Sequence, residues 1–312
     1  MRVLVTGGAG FIGSHVTDAF LARDDEVAVV DDLSKGQAGR LDASATLHKL
    51  SVTDSWSLAA LVQAFRPDLI CHLAAQTGVR ASVADPAEDA RANVIGTVNV
   101  LEAARAARAR VVFASSGGAL YGRNAAIPSP EDAPALPESP YGVAKLCGEH
   151  YVGLYNRLHG TRHSVLRLAN VYGPRQDPAG EAGVIAVFCG SVLAGRAPVI
   201  YGDGTQTRDF VYVGDVARAF VAAAGSDRPG TWNIGTGTAT SVLDLVAVIG
   251  EIAGRTVTPE FAAAVPGELP HSAVAPGLAA ADLGWRPLTA LADGVPNVYR
   301  WIGEGAPVQG AP

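Results

Sequence analysis

The stretch that most constrains this chain is residues 2–31. Val3, Leu4 and Val5 form a short apolar run, and Thr6-Gly7-Gly8-Ala9-Gly10-Phe11-Ile12-Gly13 follows it without a break. Apolar and small residues then recur at helical spacing through Ala19 to Leu21, so the order is strand, tight turn, helix. A second apolar run, residues 26–30, ends at Asp31. Strand, glycine turn, helix, strand and acid in that order make a dinucleotide-binding unit. Gly7 permits the sharp turn, Gly10 lets backbone N–H groups approach a pyrophosphate, and Gly13 lets helix and strand pack closely. The diphosphate then sits on the positive end of the helix that Phe11 and Ile12 open. Asp31 accepts from the adenosine ribose hydroxyls and repels a 2′-phosphate, which selects NAD over NADP.

The remaining composition narrows the partners. The chain has 312 residues, 48% hydrophobic and 17% charged, enough for a large core in one or two domains. A net charge of −6 leaves no basic footprint for nucleic acid, and no apolar run reaches membrane-spanning length. The expected partner is a small molecule. Cys71, Cys147 and Cys189 are odd in number and widely spaced, which indicates neither a disulfide framework nor a metal site. Met1 runs straight into the first strand, with no room for a signal peptide. A cytoplasmic protein is expected.

Along the chain, residues 32–39 read as a loop, residues 46–50 as a third strand and residues 68–73 as a fourth. Asp54 has two readings: an acceptor for the adenine amino group at a strand end, or the N-cap of a helix that Pro67 ends. Ala74 and Ala75 are small where the backbone must pass the cofactor, and His72 reads as a satisfied buried histidine. Residues 93–110 form an amphipathic helix and residues 110–115 a fifth strand. Pro128, Pro130, Pro134, Pro137 and Pro140 fix an irregular loop between Tyr121 and Tyr141. A helix over 141–159 and a strand over 164–168 follow. The fold expected is α/β, a doubly wound parallel Rossmann sheet with a smaller C-terminal α/β substrate-binding lobe. Residues 1–169 hold the cofactor, residues 210–235 return to that domain, residues 170–209 and 236–302 form the lobe, and residues 303–312 are a tail.

Tyr141 and Lys145 lie four apart on one helix, hence on one face. A free phenol titrates near ~10, and neighbouring positive charge favours its anion. Lys145 beside an oxidised nicotinamide would make Tyr141 a base usable near neutrality.

Six motifs carry a resemblance. Residues 6–15 hold the glycine turn, and Leu73-Ala74-Ala75-Gln76 and Ser115-Ser116-Gly117-Gly118-Ala119-Leu120-Tyr121-Gly122 follow. Ser139-Pro140-Tyr141-Gly142-Val143-Ala144-Lys145, Asn170-Val171-Tyr172-Gly173-Pro174-Arg175 and Arg208-Asp209-Phe210-Val211-Tyr212-Val213 complete the set. Together they resemble the extended short-chain dehydrogenase/reductases, and more narrowly the NAD-dependent nucleotide-sugar epimerases typified by UDP-glucose 4-epimerase. The resemblance implies that Tyr141 takes the proton of the sugar 4-hydroxyl while the C4 hydride passes to bound NAD, and that Lys145 holds the nicotinamide ribose. The 4-keto sugar turns over and takes the hydride back on its other face. Cofactor contacts implied are Gly7, Gly10, Phe11, Ile12, Asp31, Asp32, Ser34, Gly36, Asp54, Leu73, Ala74, Ala75, Gln76, Asn93, Ser115, Tyr141 and Lys145. Substrate contacts implied are Thr77, Ser116, Gly117, Tyr141, Asn170, Arg175, Val184, Tyr201, Arg208 and Glu268. A homodimer is implied through the helices over 93–110 and 141–159. No metal is expected.

Three departures from the family pattern stand out. Gly117 occupies the place of the hydroxyl residue that partners the tyrosine, leaving Ser116 as the candidate and Ser115 in reserve. Val265 stands where many relatives carry a diphosphate-binding arginine. Ser272 is small where glucose/galactose-specific relatives narrow the sugar pocket, so an N-acetylated or bulkier sugar can fit. Among alternatives, a 4,6-dehydratase needs an acidic pair just after the catalytic hydroxyl, where this chain has Gly117 and Gly118. A 4-keto-sugar reductase using NADPH is disfavoured by Asp31. A UDP-glucuronate decarboxylase shares the motifs. A non-catalytic NAD-sensing scaffold has no need of Tyr141 and Lys145.

Overall fold

The computed structural model of the protein describes residues 1–178, 183–264 and 269–305. Its main sheet has seven parallel strands, in chain order Arg2–Thr6, Glu26–Asp31, Thr46–Lys49, Leu69–His72, Arg110–Ser116, Ser164–Leu168 and Thr231–Ile234. Across the sheet they run third, second, first, fourth, fifth, sixth, seventh. The first strand therefore pairs on both sides, with Glu26–Asp31 and with Leu69–His72. Beside it the winding reverses, which opens a crevice at the strands' C-terminal ends.

Val3, Leu4 and Val5 are fully buried because a parallel sheet is covered on both faces. Alternation along the strands divides the core in two. Val3, Val5, Val29 and Val112 face Phe11–Leu21 and Val213–Gly225. Leu4, Ile70 and Phe113 face Ser55–Phe65 and Gly96–Ala107. A third cluster built on Phe188, Ile200, Leu245 and Val295 gathers Val184–Leu193, Val242–Ile252 and Leu291–Gly303 into a separate lobe. Short strands edge that lobe: Glu260–Ala262 beside Val199–Tyr201, and Thr207–Arg208 between Thr240–Ser241 and His271–Ser272.

The structure adds detail to two expectations. Of residues 210–235, expected to return to the cofactor domain, Thr231–Ile234 pairs with Ser164–Leu168 in the main sheet, and Phe210–Tyr212 pairs with Asn170–Tyr172 in a sheet of its own. Asp209 sets that departure, because its buried carboxylate accepts from the N–H groups of Thr236, Gly237 and Val274 at 2.8, 3.1 and 3.3 Å. The helix expected over 93–110 begins earlier, as Pro86–Ala90, and passes through a π-turn at Arg91–Ile95 before Gly96–Ala107. Asp85 caps it, accepting from Glu88 N–H at 3.0 Å, and Pro86 takes the first helical position. Among the described residues no helix is long and apolar enough to cross a membrane.

Candidate active site

The cofactor side is built around the first strand's C-terminal end. Gly7 adopts φ +71°, and a Cβ there would lie 2.6 Å from Ala74 N. The Leu73–Ala74 backbone is thus pressed against the glycine turn, and Leu73 N–H donates to Thr6 O at 3.0 Å. A Cβ on Gly13 would sit 2.0 Å from Gly7 O, so the helix meets the turn only without a side chain there. Gly10 caps Phe11–Leu21 with no side-chain hydrogen bond, which keeps the cap clear of side chains for an anion. Asp31 is buried, and its carboxylate accepts from Ala9 N–H at 3.0 Å and Leu33 N–H at 2.9 Å. Gly36 packs so close that a Cβ would lie 2.4 Å from Asp31 Oδ1. Burial pushes the Asp31 carboxyl up, against these two N–H groups. A bare helix start, a side-chain-free turn and an oriented acid fit NAD.

Other cofactor-side residues serve the protein's own framework. Asp32 accepts from Ser34 N–H at 2.9 Å and from its hydroxyl at 2.5 Å, which knits the exposed loop. Asp54 is exposed and caps Ser55–Phe65 through Ser57 N–H at 3.1 Å, so of its two readings the structure displays the cap. His72 is satisfied on both ring nitrogens, at 2.8 Å from Thr6 Oγ1 and 3.0 Å from Thr97 Oγ1. Asn93 does not stop at the cofactor crevice. Its carboxamide clasps the Gln76 backbone and donates to Asp89 at 3.0 Å.

The catalytic candidates meet where Pro140–His159 crosses the end of Arg110–Ser116. Ser139 caps that helix, accepting from Gly142 N–H at 3.1 Å, and Pro140 occupies its first turn. Ser116, at the end of the fifth strand, lies close enough to the Tyr141 phenol to act on its titration. Burial pushes the Tyr141 phenol up to about 12; Ser116 opposes the rise and the Asp89 charge adds to it. Lys145 is buried, donates to Ala114 O at 3.0 Å and lies 5.9 Å from the Tyr141 ring centre and 5.0 Å from that of Phe113. Burial pulls its ammonium down to about 8, opposed by Asp89 and Glu149. Ser115, the reserve partner, points elsewhere: its hydroxyl donates to Glu149 at 2.5 Å. Gly117 cannot hold the usual hydroxyl without adjustment, because a Cβ there would lie 2.7 Å from Val274 Cγ1.

Residues 3–235 match the NAD dependent epimerase/dehydratase family. The chain belongs to that family. It is 47% identical over 268 residues to the UDP-glucose 4-epimerase of Mycolicibacterium smegmatis, which spans 84% of this chain and 85% of that one. The crystal structure of the Thermotoga maritima UDP-glucose 4-epimerase with UDP-glucose superposes with a TM-score of 0.96 at 40% identity, covering 97% of this chain and 99% of that one. The Thermus thermophilus UDP-glucose 4-epimerase, solved with NAD, gives a TM-score of 0.92 at 40% identity, covering 98% and 100%.

On the substrate side of this epimerase/dehydratase fold, Gly118 faces Asn170 and Ser272. A Cβ on Gly118 would be 3.4 Å from Asn170 Oδ1 and 4.0 Å from Ser272 Oγ. Val184 opens Val184–Leu193 directly after its Gly183 cap, and Thr77 is exposed beyond the fourth strand. Tyr201 is exposed, with the Arg80 guanidinium 5.9 Å above its ring. Arg208 donates to Thr207 O at 2.8 Å. Arg175 forms an ion pair with Asp18 of the first helix at 2.7 Å. Val265 and Glu268 lie outside the described residues.

Sequence reasoning missed Asp89 and the group around Arg167. Arg167 forms a buried ion pair with Glu149 at 2.7 Å and donates to Tyr121 Oη at 2.8 Å and to Glu131 O at 2.9 Å, which holds the proline-rich loop against the sheet. The signal was available: a charged residue inside an apolar strand requires a partner. For Asp89, the cue was the Asp85-Pro86 helix start, which places it on the inner face.

Proposed function

We propose that this chain is an NAD-dependent nucleotide-sugar 4-epimerase, acting on a UDP-hexose. The observation that carries the reading is the buried Lys145 ammonium 5.9 Å from the Tyr141 ring, with Ser116 beside the phenol, all at the C-terminal end of a dinucleotide-binding sheet. When bound, NAD supplies the acceptor and donor for the sugar's hydride. Tyr141 takes the proton from the sugar 4-hydroxyl and returns it, with Ser116 as the hydroxyl beside its phenol. Lys145 supplies positive charge in a desolvated place, which favours the phenolate. Gly117 and Gly118 follow Ser116 and exchange no proton, which disfavours 4,6-dehydration.

The same reading assigns residues 1–169 and the returning strand to the cofactor, and residues 170–209 and 236–302 to the sugar nucleotide. Asn170 and Arg208 then serve the diphosphate and Tyr201 the base. The side-chain-free Gly118 opposite the small Ser272 favours room for an N-acetylated sugar beside simple hexoses. A cytoplasmic homodimer completes the proposal. Ile95, Val143, Leu154 and Leu158, on the helices expected to pair, are exposed at 52%, 54%, 41% and 66%, and such apolar groups suit a helix-to-helix interface.

The test is incubation of the purified protein with UDP-hexoses, UDP-hexuronic acids and UDP-N-acetylhexosamines, followed by chromatography. Interconversion of 4-epimers is expected, and a 4-keto-6-deoxy product would overturn the reading. Tyr141→Phe should lower kcat by about 10²–10⁴-fold with NAD still bound.

A further inference from the structure

Asp89 is a buried carboxylate only half used by the fold. It is 1% exposed. Both of its hydrogen bonds fall on one oxygen: Oδ1 accepts from Gln76 Nε2 at 2.8 Å and from Asn93 Nδ2 at 3.0 Å. Oδ2 is buried and has no hydrogen-bond partner among the described residues. Burial pushes the Asp89 carboxyl up, and a cation in reach favours its charged form. The helix Pro86–Ala90 packs against Pro140–His159, and the cation whose charge acts on Asp89 is Lys145.

The surroundings of Lys145 exclude the other counter-ion. On its own helix, Glu149 is paired with Arg167 and accepts from Ser115, so its charge is already met. From the fifth strand come the Ala114 carbonyl and the Phe113 ring. His72, on the fourth strand, is held neutral by burial and by Lys145 itself. Arg91, in the π-turn, pairs with Glu88 in solvent, and Arg80, from Val79–Ala84, is exposed over Tyr201. Glu102 of Gly96–Ala107 is taken by Arg105 and Tyr155. Asp89 alone among these anions has no other cation. The basic residues point the same way: Lys35, Lys49 and Lys145 are the only lysines among 24 Lys and Arg, and of the three only Lys145 is buried. An ammonium shifts its charge state on burial, which a guanidinium does not.

We propose that Asp89 is a positioning residue of the active site, the fixed anion that keeps Lys145 charged beside Tyr141. The π-turn at Arg91–Ile95 aims Asn93 at Asp89 Oδ1, and Gln76 fixes the same oxygen, so the charge is held without a mobile loop. The consequence for turnover rests on the epimerase reading; the charge relation itself does not.

Asp89→Asn tests it, because the substitution keeps the Oδ1 acceptor and alters an oxygen that accepts nothing. Protein labelled with ε-¹³C-lysine gives three resonances, and that of Lys145 should titrate with a midpoint near 8. In Asp89→Asn the midpoint should fall by roughly one pH unit or more, since an opposite charge removed from a desolvated site disfavours the ammonium. Asp89→Glu should keep it near its original place. If the Asn variant does not fold, Asp89→Ser removes the same charge. The pH profile of epimerisation should move to acid together with the midpoint. A midpoint unmoved by loss of the charge overturns the proposal, even where kcat falls. Absence of epimerisation in the unsubstituted protein would sink the functional reading and leave the lysine titration standing.

Discussion

The Asn93 carboxamide and the Gln76 backbone form a reciprocal pair: Asn93 Nδ2 donates to Gln76 O at 2.9 Å, and Gln76 N–H donates to Asn93 Oδ1 at 2.9 Å. The bond fixes the chain just past the fourth strand, where it lies against the glycine turn. Asn93 therefore acts on the crevice through Gln76 and not only by direct contact.

Asn93→Ala should remove both bonds at a buried backbone and cost about 1–3 kcal/mol. Urea unfolding measures the loss, and the NAD content of the purified variant should fall with it. A variant as stable as the parent, with full NAD, would refute the clamp.

Ser116→Ala should slow turnover while leaving the fold intact. Adding Gly117→Ser should not rescue it, because the new Cβ would meet Val274 Cγ1 at 2.7 Å. Overpacking of this kind costs about 1–3 kcal/mol. Recovery of kcat in the double variant would show that Val274 yields and that residue 117 can carry the hydroxyl.

Acid should destabilise the protein through His72. Ala74 N–H donates to Thr6 Oγ1 and Thr97 Oγ1 donates to Asn93 O, so Thr6 donates to His72 Nδ1 and His72 Nε2–H donates to Thr97. Burial and Lys145 hold the folded imidazole neutral to about 3, against 6.5 in the unfolded chain. The unfolded chain binds the proton first, so stability is complete above 6.5 and is lost progressively as pH falls towards 3. The full loss is on the order of 3–5 kcal/mol. Unfolding midpoints measured from pH 7 downward should fall, and His72→Gln should be weaker at pH 7 but flatter below it. His163, which accepts from Val111 N–H at 3.0 Å, adds to the slope in the same direction.

Arg167→Ala should cost about 3–5 kcal/mol, since it strands the Glu149 carboxylate in the interior. It also frees the loop that Arg167 holds through Glu131 O and Tyr121 Oη, just before Tyr141. Thermal unfolding and kcat should both fall. Arg167→Ala with unchanged kcat would mean that the loop keeps its shape by its prolines alone.

The succession of strands and helices along the first 168 residues, the glycine turn, Asp31 and the Tyr141–Lys145 pair were legible in the sequence by itself. Each depends on near neighbours in the chain: alternation decides which side of a strand is buried, and a spacing of four places two side chains on one helical face. Tertiary structure alone decided the rest, because those choices depend on groups far apart in sequence. Gly117 is closed to a hydroxyl by Val274, and Ser115 is drawn away by Glu149. Phe210–Tyr212 leaves the main sheet where Asp209 gathers N–H groups from residues 236, 237 and 274. The helices that carry Asp89 and Lys145 are packed against each other, although 56 residues separate the two in sequence. Burial makes such pairs matter, since in a desolvated interior a lone charge must find its partner wherever the fold has put it.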